Sequence, residues 1–135
     1  MALQFSESVR NARLDTIEST IGASAILEIR TGAPPANCAA ADSGTLLASI
    51  TLPSDWMAAA ASGAKAKSGT WQDTSANGDG TADHFRIKDS GGTTCHMQGT
   101  VGITGSGADL EVDNDSFATG QQFTVSSFTL QEGNA

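Results

Sequence analysis

HFRIKDSGGTTCHMQGTVGI, residues 84–103, is the stretch whose reading decides the fold. Its apolar residues fall at every second position on both sides of a glycine-centred break, the period of a half-buried strand and not of a helix. Setting Ile87 opposite Met97 gathers Phe85, Ile87, Cys95 and Met97 on one apolar face, whereas a slip by one residue would scatter them. That register asks for an odd loop, most simply Gly91, Gly92 and Thr93. It puts Arg86, Lys88, His96 and Gln98 on the more polar face, with His96 facing Lys88 and His84 facing Thr100. The two imidazoles then stand four strand positions apart, about 13 Å, while ligands of one zinc ion converge to about 2 Å from it. No metal ligand is assigned to them.

Working outward, the same alternation recurs in AILEIR (25–30), TLLASITL (45–52), KSGTWQ (67–72), ADLEV (108–112) and QFTVSSFTL (122–130). Leu27 and Ile29 share a face, as do Leu46, Ala48, Ile50 and Leu52. In the last stretch Phe123 and Val125 have one parity and Phe128 and Leu130 the other, so a bulge is expected near Ser126 and Ser127. About seven or eight short strands, broken by Gly, Asn, Asp and Ser turns without helical patterns between them, predict an antiparallel, jelly-roll-like β-sandwich over residues 23–135. Ahead of it, a capping Ser6, apolar Leu14, Ile17 and Ile21 at helical spacing and a stop at Gly22 predict a helix from about Ser6 to Ile21. This segment, residues 1–22, either lies on its own domain or forms an arm that grips a neighbouring subunit.

A chain of 135 residues suits one core. Its net charge of −8, pI near 4.4 and only seven scattered basic residues argue against nucleic acid, which needs clustered Lys and Arg. No run approaches the ~20 apolar residues of a membrane span, and the start MALQFSESVRNARLD lacks the pattern of a secretory signal, so synthesis and retention in a cytoplasm are expected. In that compartment Cys38 and Cys95 read as free thiols, with pairing left open after release from a cell.

Candidate chemistry is sparse. DTSANGDGTADHF (73–85) offers Ser75, Asn77, Asp79, Gly80, Thr81 and Asp83 in the manner of a calcium loop, but the first ligand position holds Ser75 and the bidentate acid position falls on Arg86. A polar connecting loop is the plainer reading. Nucleophile-elbow, phosphate-loop and dinucleotide-binding signatures are lacking, and Asp109, Glu111, Asp113 and Asp115 alternate as on a solvated strand face. Trp56 and Trp71 suit a sandwich core better than a sugar platform. The expectation is a non-enzyme with no catalytic residue, no cofactor and no metal.

Several stretches carry a family resemblance: I-R-x-G-x-x-P-A at 29–36, DSGTLLA at 42–48, FRIKDSGGTT at 85–94 and FTVSSFTL at 123–130. With the helical start at Ser8 to Glu18, they resemble small virion proteins of tailed bacteriophages, most of all head decoration, or cement, proteins with jelly-roll-like folds. That resemblance implies a protein bound to the outer surface of the capsid, its partner the major capsid protein, and made in the host cytoplasm; the narrow apolar stripe of the helix adds the expectation of a homodimer or homotrimer as the working unit. A tail or baseplate component is the alternative, and a carbohydrate-binding sandwich a more distant one. Candidate partner contacts are the helix stripe Leu14, Ile17 and Ile21, and Pro34 and Pro35, which stiffen a loop of small residues.

Overall fold

The structure, a computed structural model, describes residues 3–132. One helix, α1 (Glu7–Ile21), precedes ten strands: β1 (Ile26–Arg30), β2 (Leu46–Thr51), β3 (Ala64–Ala66), β4 (Gln72–Asp73), β5 (Gly80–Thr81), β6 (His84–Lys88), β7 (Cys95–Ile103), β8 (Leu110–Val112), β9 (Ser116–Phe117) and β10 (Phe123–Gln131). The main sheet runs β2-β1-β6-β7-β8-β10-β3, with β4 also on β10, while β5 and β9 pair separately. The sheet is mixed, because β7 and β8 run parallel, and this departs from the wholly antiparallel expectation. Parallel neighbours ordinarily need a long crossover. Here the chain doubles back within residues 104–109, where Gly105 and Gly107 take φ of 87° and 82°, conformations that suit glycine. Asp109 Oδ2 then hooks the Thr100 N–H at 2.9 Å.

The hairpin reading holds at its centre and changes at its end. Ile87 pairs with Met97, Phe85 with Gly99 and His84 with Thr100. Lys88, however, pairs with Cys95, and a register shift follows Ile87. The connecting turn is closed by Asp89 N–H to Thr94 carbonyl at 3.1 Å, so a longer turn plus a bulge replaces the three-residue loop. His96 therefore does not face Lys88: the bulge turns it beside Thr16, Ile17 and Thr20 of α1 and turns Cys95 the other way. A second bulge, opposite Ile29 and Arg30, lets Leu47 and Ala48 both be buried. The bulge expected near Ser126 and Ser127 is present, between Val125 and Ser127.

The core forms on the face carrying Leu27, Ile29, Phe85 and Ile87. Phe85 of β6 meets Phe128 of β10 edge to face at 5.6 Å between centroids. Those strands are three sheet positions apart, about 14 Å if flat, so the sheet curls around its core. Trp71 bridges Phe128 and Trp56 at 5.5 and 6.0 Å. Each buried indole N–H is satisfied, Trp56 by the Gly22 carbonyl at 3.0 Å and Trp71 by that of Ser68 at 3.1 Å.

The segment expected as a possible arm lies on its own domain. Ser6 caps α1 by accepting from Val9 N–H, and Gly22 ends it with φ 96°. Leu14 and Ile21 are buried and Ile17 packs on the core. A polar ladder on the helix does as much: Glu7, Asn11, Asp15 and Glu18 accept the backbone N–H groups of Ser62, Gly63, Ala60 and Met57 at 2.9–3.2 Å. Lys65, only 2% exposed, donates to Asp15 at 2.7 Å and Glu18 at 2.8 Å. From the middle of the helix Arg13 pairs with Glu132 at 2.8 Å.

The Phe85 ring lies across the hairpin over Gly99, where an added Cβ would stand 2.8 Å from ring Cε1 and 2.7 Å from Asp109 Oδ2. Gly99→Ala is therefore expected to displace both the ring and the hook, destabilising the protein by about 1–3 kcal/mol as overpacking does. Urea unfolding should show a lower midpoint at unchanged slope; an unchanged midpoint would refute this packing account.

Candidate functional site

The sheet face opposite the core carries Glu28 and Arg30 of β1 and His84, Arg86 and Lys88 of β6. Alternation alone would leave this face in water. Instead Arg86 and Lys88 are 2% and 6% exposed, because residues 31–45 fold back over them. The neck of this loop is pinched where Thr31 N–H donates to the Thr45 carbonyl at 3.1 Å and Thr45 N–H to Thr31 Oγ1 at 2.9 Å, the form of an Ω-loop.

Asp42 ties the loop to the sheet. Its carboxylate pairs with Arg86, with Lys88 at 2.7 Å and with Arg30 at 3.3 Å. Glu28 completes the layer, pairing with Arg30 at 3.0 Å and Lys88 at 3.1 Å. Arg86 also donates to the Cys38 carbonyl at 2.9 Å, and Gln98 Nε2 to the Pro35 carbonyl at 2.6 Å. Within the loop, Asn37 Oδ1 accepts from Ala39 and Ala40 N–H at 2.9 and 3.1 Å. His84, fully buried, bonds the Gly32 carbonyl through Nδ1 at 2.6 Å. Burial pushes the Asp42 carboxyl up, but hydrogen bonds from Lys88 and Arg86 and the nearby charge of Arg30 outweigh it and hold the group below the ordinary carboxylate range. Burial likewise works against the charged forms of Arg86 and Lys88, and it is more than reversed by Asp42 and Cys95 beside Arg86 and by Asp42 and Glu28 beside Lys88.

The candidate partner residues separate into two kinds. Leu14 and Ile21 are inside the domain and present almost no surface, and Ile17 is half-buried. Pro34 and Pro35 are half-buried within the clamped loop, flanked by exposed Ala36, Ala39 and Ala41. The sequence reading missed both Asp42 and the helix ladder. Two basic residues in the β6 strand, with an acid in a long loop, were a signal for the first, and the i, i+4 spacing of Glu7, Asn11 and Asp15 a signal for the second.

The calcium-like loop spends its carboxylates elsewhere: Asp73 accepts Ser75 N–H at 2.9 Å, Asp79 accepts Thr119 N–H at 2.7 Å and Asp83 accepts Gly32 N–H at 2.7 Å. Asp109, Glu111 and Asp113 similarly brace Thr100, Gly107 and Thr124. Among the described residues no group of three or more His, Cys, Asp or Glu side chains is placed to hold a metal ion. Both tryptophans are wholly buried, which leaves no indole face for a sugar. No family model, curated protein or solved structure matches the chain.

Asp42→Asn would leave three cations with one carboxylate, Glu28. Breaking a buried pair costs about 3–5 kcal/mol, and the lower end applies because the Asp42 side chain is itself 31% exposed. Because the folded-state pKa is lowered, this contribution is complete above the ordinary aspartate value of about 4 and is lost as pH falls through the lower folded value. Thermal unfolding between pH 7 and pH 2 should therefore show a shallower acid decline in the variant than in the parent. Parallel curves would remove Asp42 as the clamp.

Proposed function

We propose that this protein is a non-enzymatic virion component, a capsid decoration protein that binds the outer surface of a phage head and bridges neighbouring major capsid subunits, as a homodimer or homotrimer. In this reading the curled sheet is a jelly-roll-like sandwich whose task is to carry a stiff adhesive loop. The observation that carries it is the clamp over residues 31–45: a loop of prolines and small residues, fixed from beneath by ion pairs, can dock without a large ordering cost. The resemblance noted in the sequence supplies the partner, since two of its stretches, 29–36 and 42–48, are the two sides of this loop.

Charge supports an exterior position. All seven basic residues are engaged within the chain: Arg30, Arg86 and Lys88 under the loop, Lys65 under the helix, Arg13 on Glu132, Arg10 on the Glu132 carbonyl and Lys67 on the Gly69 carbonyl. The net charge of −8 is one that packaged DNA would repel.

Purified protein mixed with undecorated heads should co-sediment with them and raise the temperature at which DNA is released, since a ligand of the assembled shell stabilises it by mass action. Replacing Pro34 and Pro35 together by glycine should weaken binding by about tenfold or more through lost preorganisation, while His96→Ala should bind as the parent does. Binding to tails or baseplates in place of heads would reassign the protein to the tail, and binding to neither would overturn the virion role.

A further inference from the structure

The two free cysteines belong to different layers of the molecule, Cys38 to the loop and Cys95 to the first position of β7, yet their sulfurs stand 3.0 Å apart. A covalent S–S bond is about 2.05 Å, so closure needs a movement of about 1 Å. Two features bring them together. The β7 bulge turns Cys95 away from the core face, where regular alternation would place it beside Met97, and towards the loop. Arg86, rising from the neighbouring strand, holds the loop backbone at Cys38 and Asn37 by donating to their carbonyls at 2.9 and 3.4 Å.

The surroundings suit thiol chemistry. Both cysteines are half-buried and line an open cleft of about 760 Å³, whose other walls include Ala39, Ala40, Ala41 and Thr93. Small walls leave room for an approaching reagent. Burial and the facing Cys95 thiol push the Cys38 thiol up to about 11, against the opposing pull of the Arg86 guanidinium.

We propose that Cys38 and Cys95 are a modification site, a dithiol that a small-molecule disulfide oxidises to an intramolecular disulfide joining the 31–45 loop to β7. One protein thiolate attacks a sulfur of the small disulfide, forming a mixed disulfide and expelling one small thiolate. The second protein thiolate then attacks the protein sulfur of that adduct and expels the other. The protein loses two protons and two electrons, and one small disulfide takes them up to become two small thiols. The product is a covalent fastening parallel to the Asp42 clamp, and it forms whether or not the loop contacts a capsid.

The test uses the full chain with oxidised glutathione at pH 9, chosen because of the raised Cys38 thiol, followed by acid quench, alkylation and intact mass. Expected are a monomer lighter by two hydrogens, loss of both alkylatable thiols, and a higher unfolding temperature that reverts with reductant. Cys38→Ser and Cys95→Ser should each retain a glutathione adduct, since the resolving thiol is gone. Persistence of both thiols, a stable glutathione adduct on the parent protein, or a disulfide-linked dimer as the main product would each overturn the site.

Discussion

A single carboxylate organises one whole side of this protein. Asp42 sits in a connection that could have been loose, yet it reaches three cations on two strands and so converts the outer face of a sheet into a second interior. The arrangement is costly in isolation, because Arg86 and Lys88 surrender hydration when covered. It is viable because the cations outnumber the anions by only one and each has a partner. His84 Nε2, Arg86 Nε and Gln98 Oε1 are buried without a protein partner among the described residues, so the layer is held by its ion pairs and not by a complete hydrogen-bond network. The sheet thus has an apolar core on one side and an ionic one on the other, and the loop's shape is dictated by the second.

This division explains which parts of the fold were legible in the sequence. Apolar alternation is a strong local signal, and it located β1, β6, the centre of the β6–β7 hairpin and the β10 bulge, where Phe123 and Phe128 change parity. It failed where pairing depends on groups that carry no periodicity. The parallel β7–β8 pair follows from two left-handed glycines and the Asp109 hook, none of which alters the hydrophobic pattern. Likewise the Cys95 bulge swaps two side chains between faces through a turn one residue longer than the simplest register requires.

The candidate site shows the same limit. Pro34 and Pro35 marked the loop, because proline is visible as backbone stiffness in any sequence. What lay beneath it was not visible: Arg86 and Lys88 alternate with Phe85 and Ile87 just as solvated residues would. Only a third layer, supplied by a segment more than forty residues earlier in the chain, distinguishes a buried charge from an exposed one. On the helix the apolar stripe of Leu14, Ile17 and Ile21 was legible and does pack inward, whereas the docking of the neighbouring side by Glu7, Asn11, Asp15 and Glu18 was not.

That polar ladder also sets an order of events during folding. The helix precedes its donors along the chain: its acceptors have no such partners until residues 57–63 exist, and its cationic anchor, Lys65, follows them. Further ties, from Arg10 and Arg13 to Glu132, await a residue more than one hundred positions downstream. An isolated helix of fifteen residues is marginal in water. The helix therefore settles only after segments that follow it in the chain, and its docking ties the β3 edge to the residue just after β10.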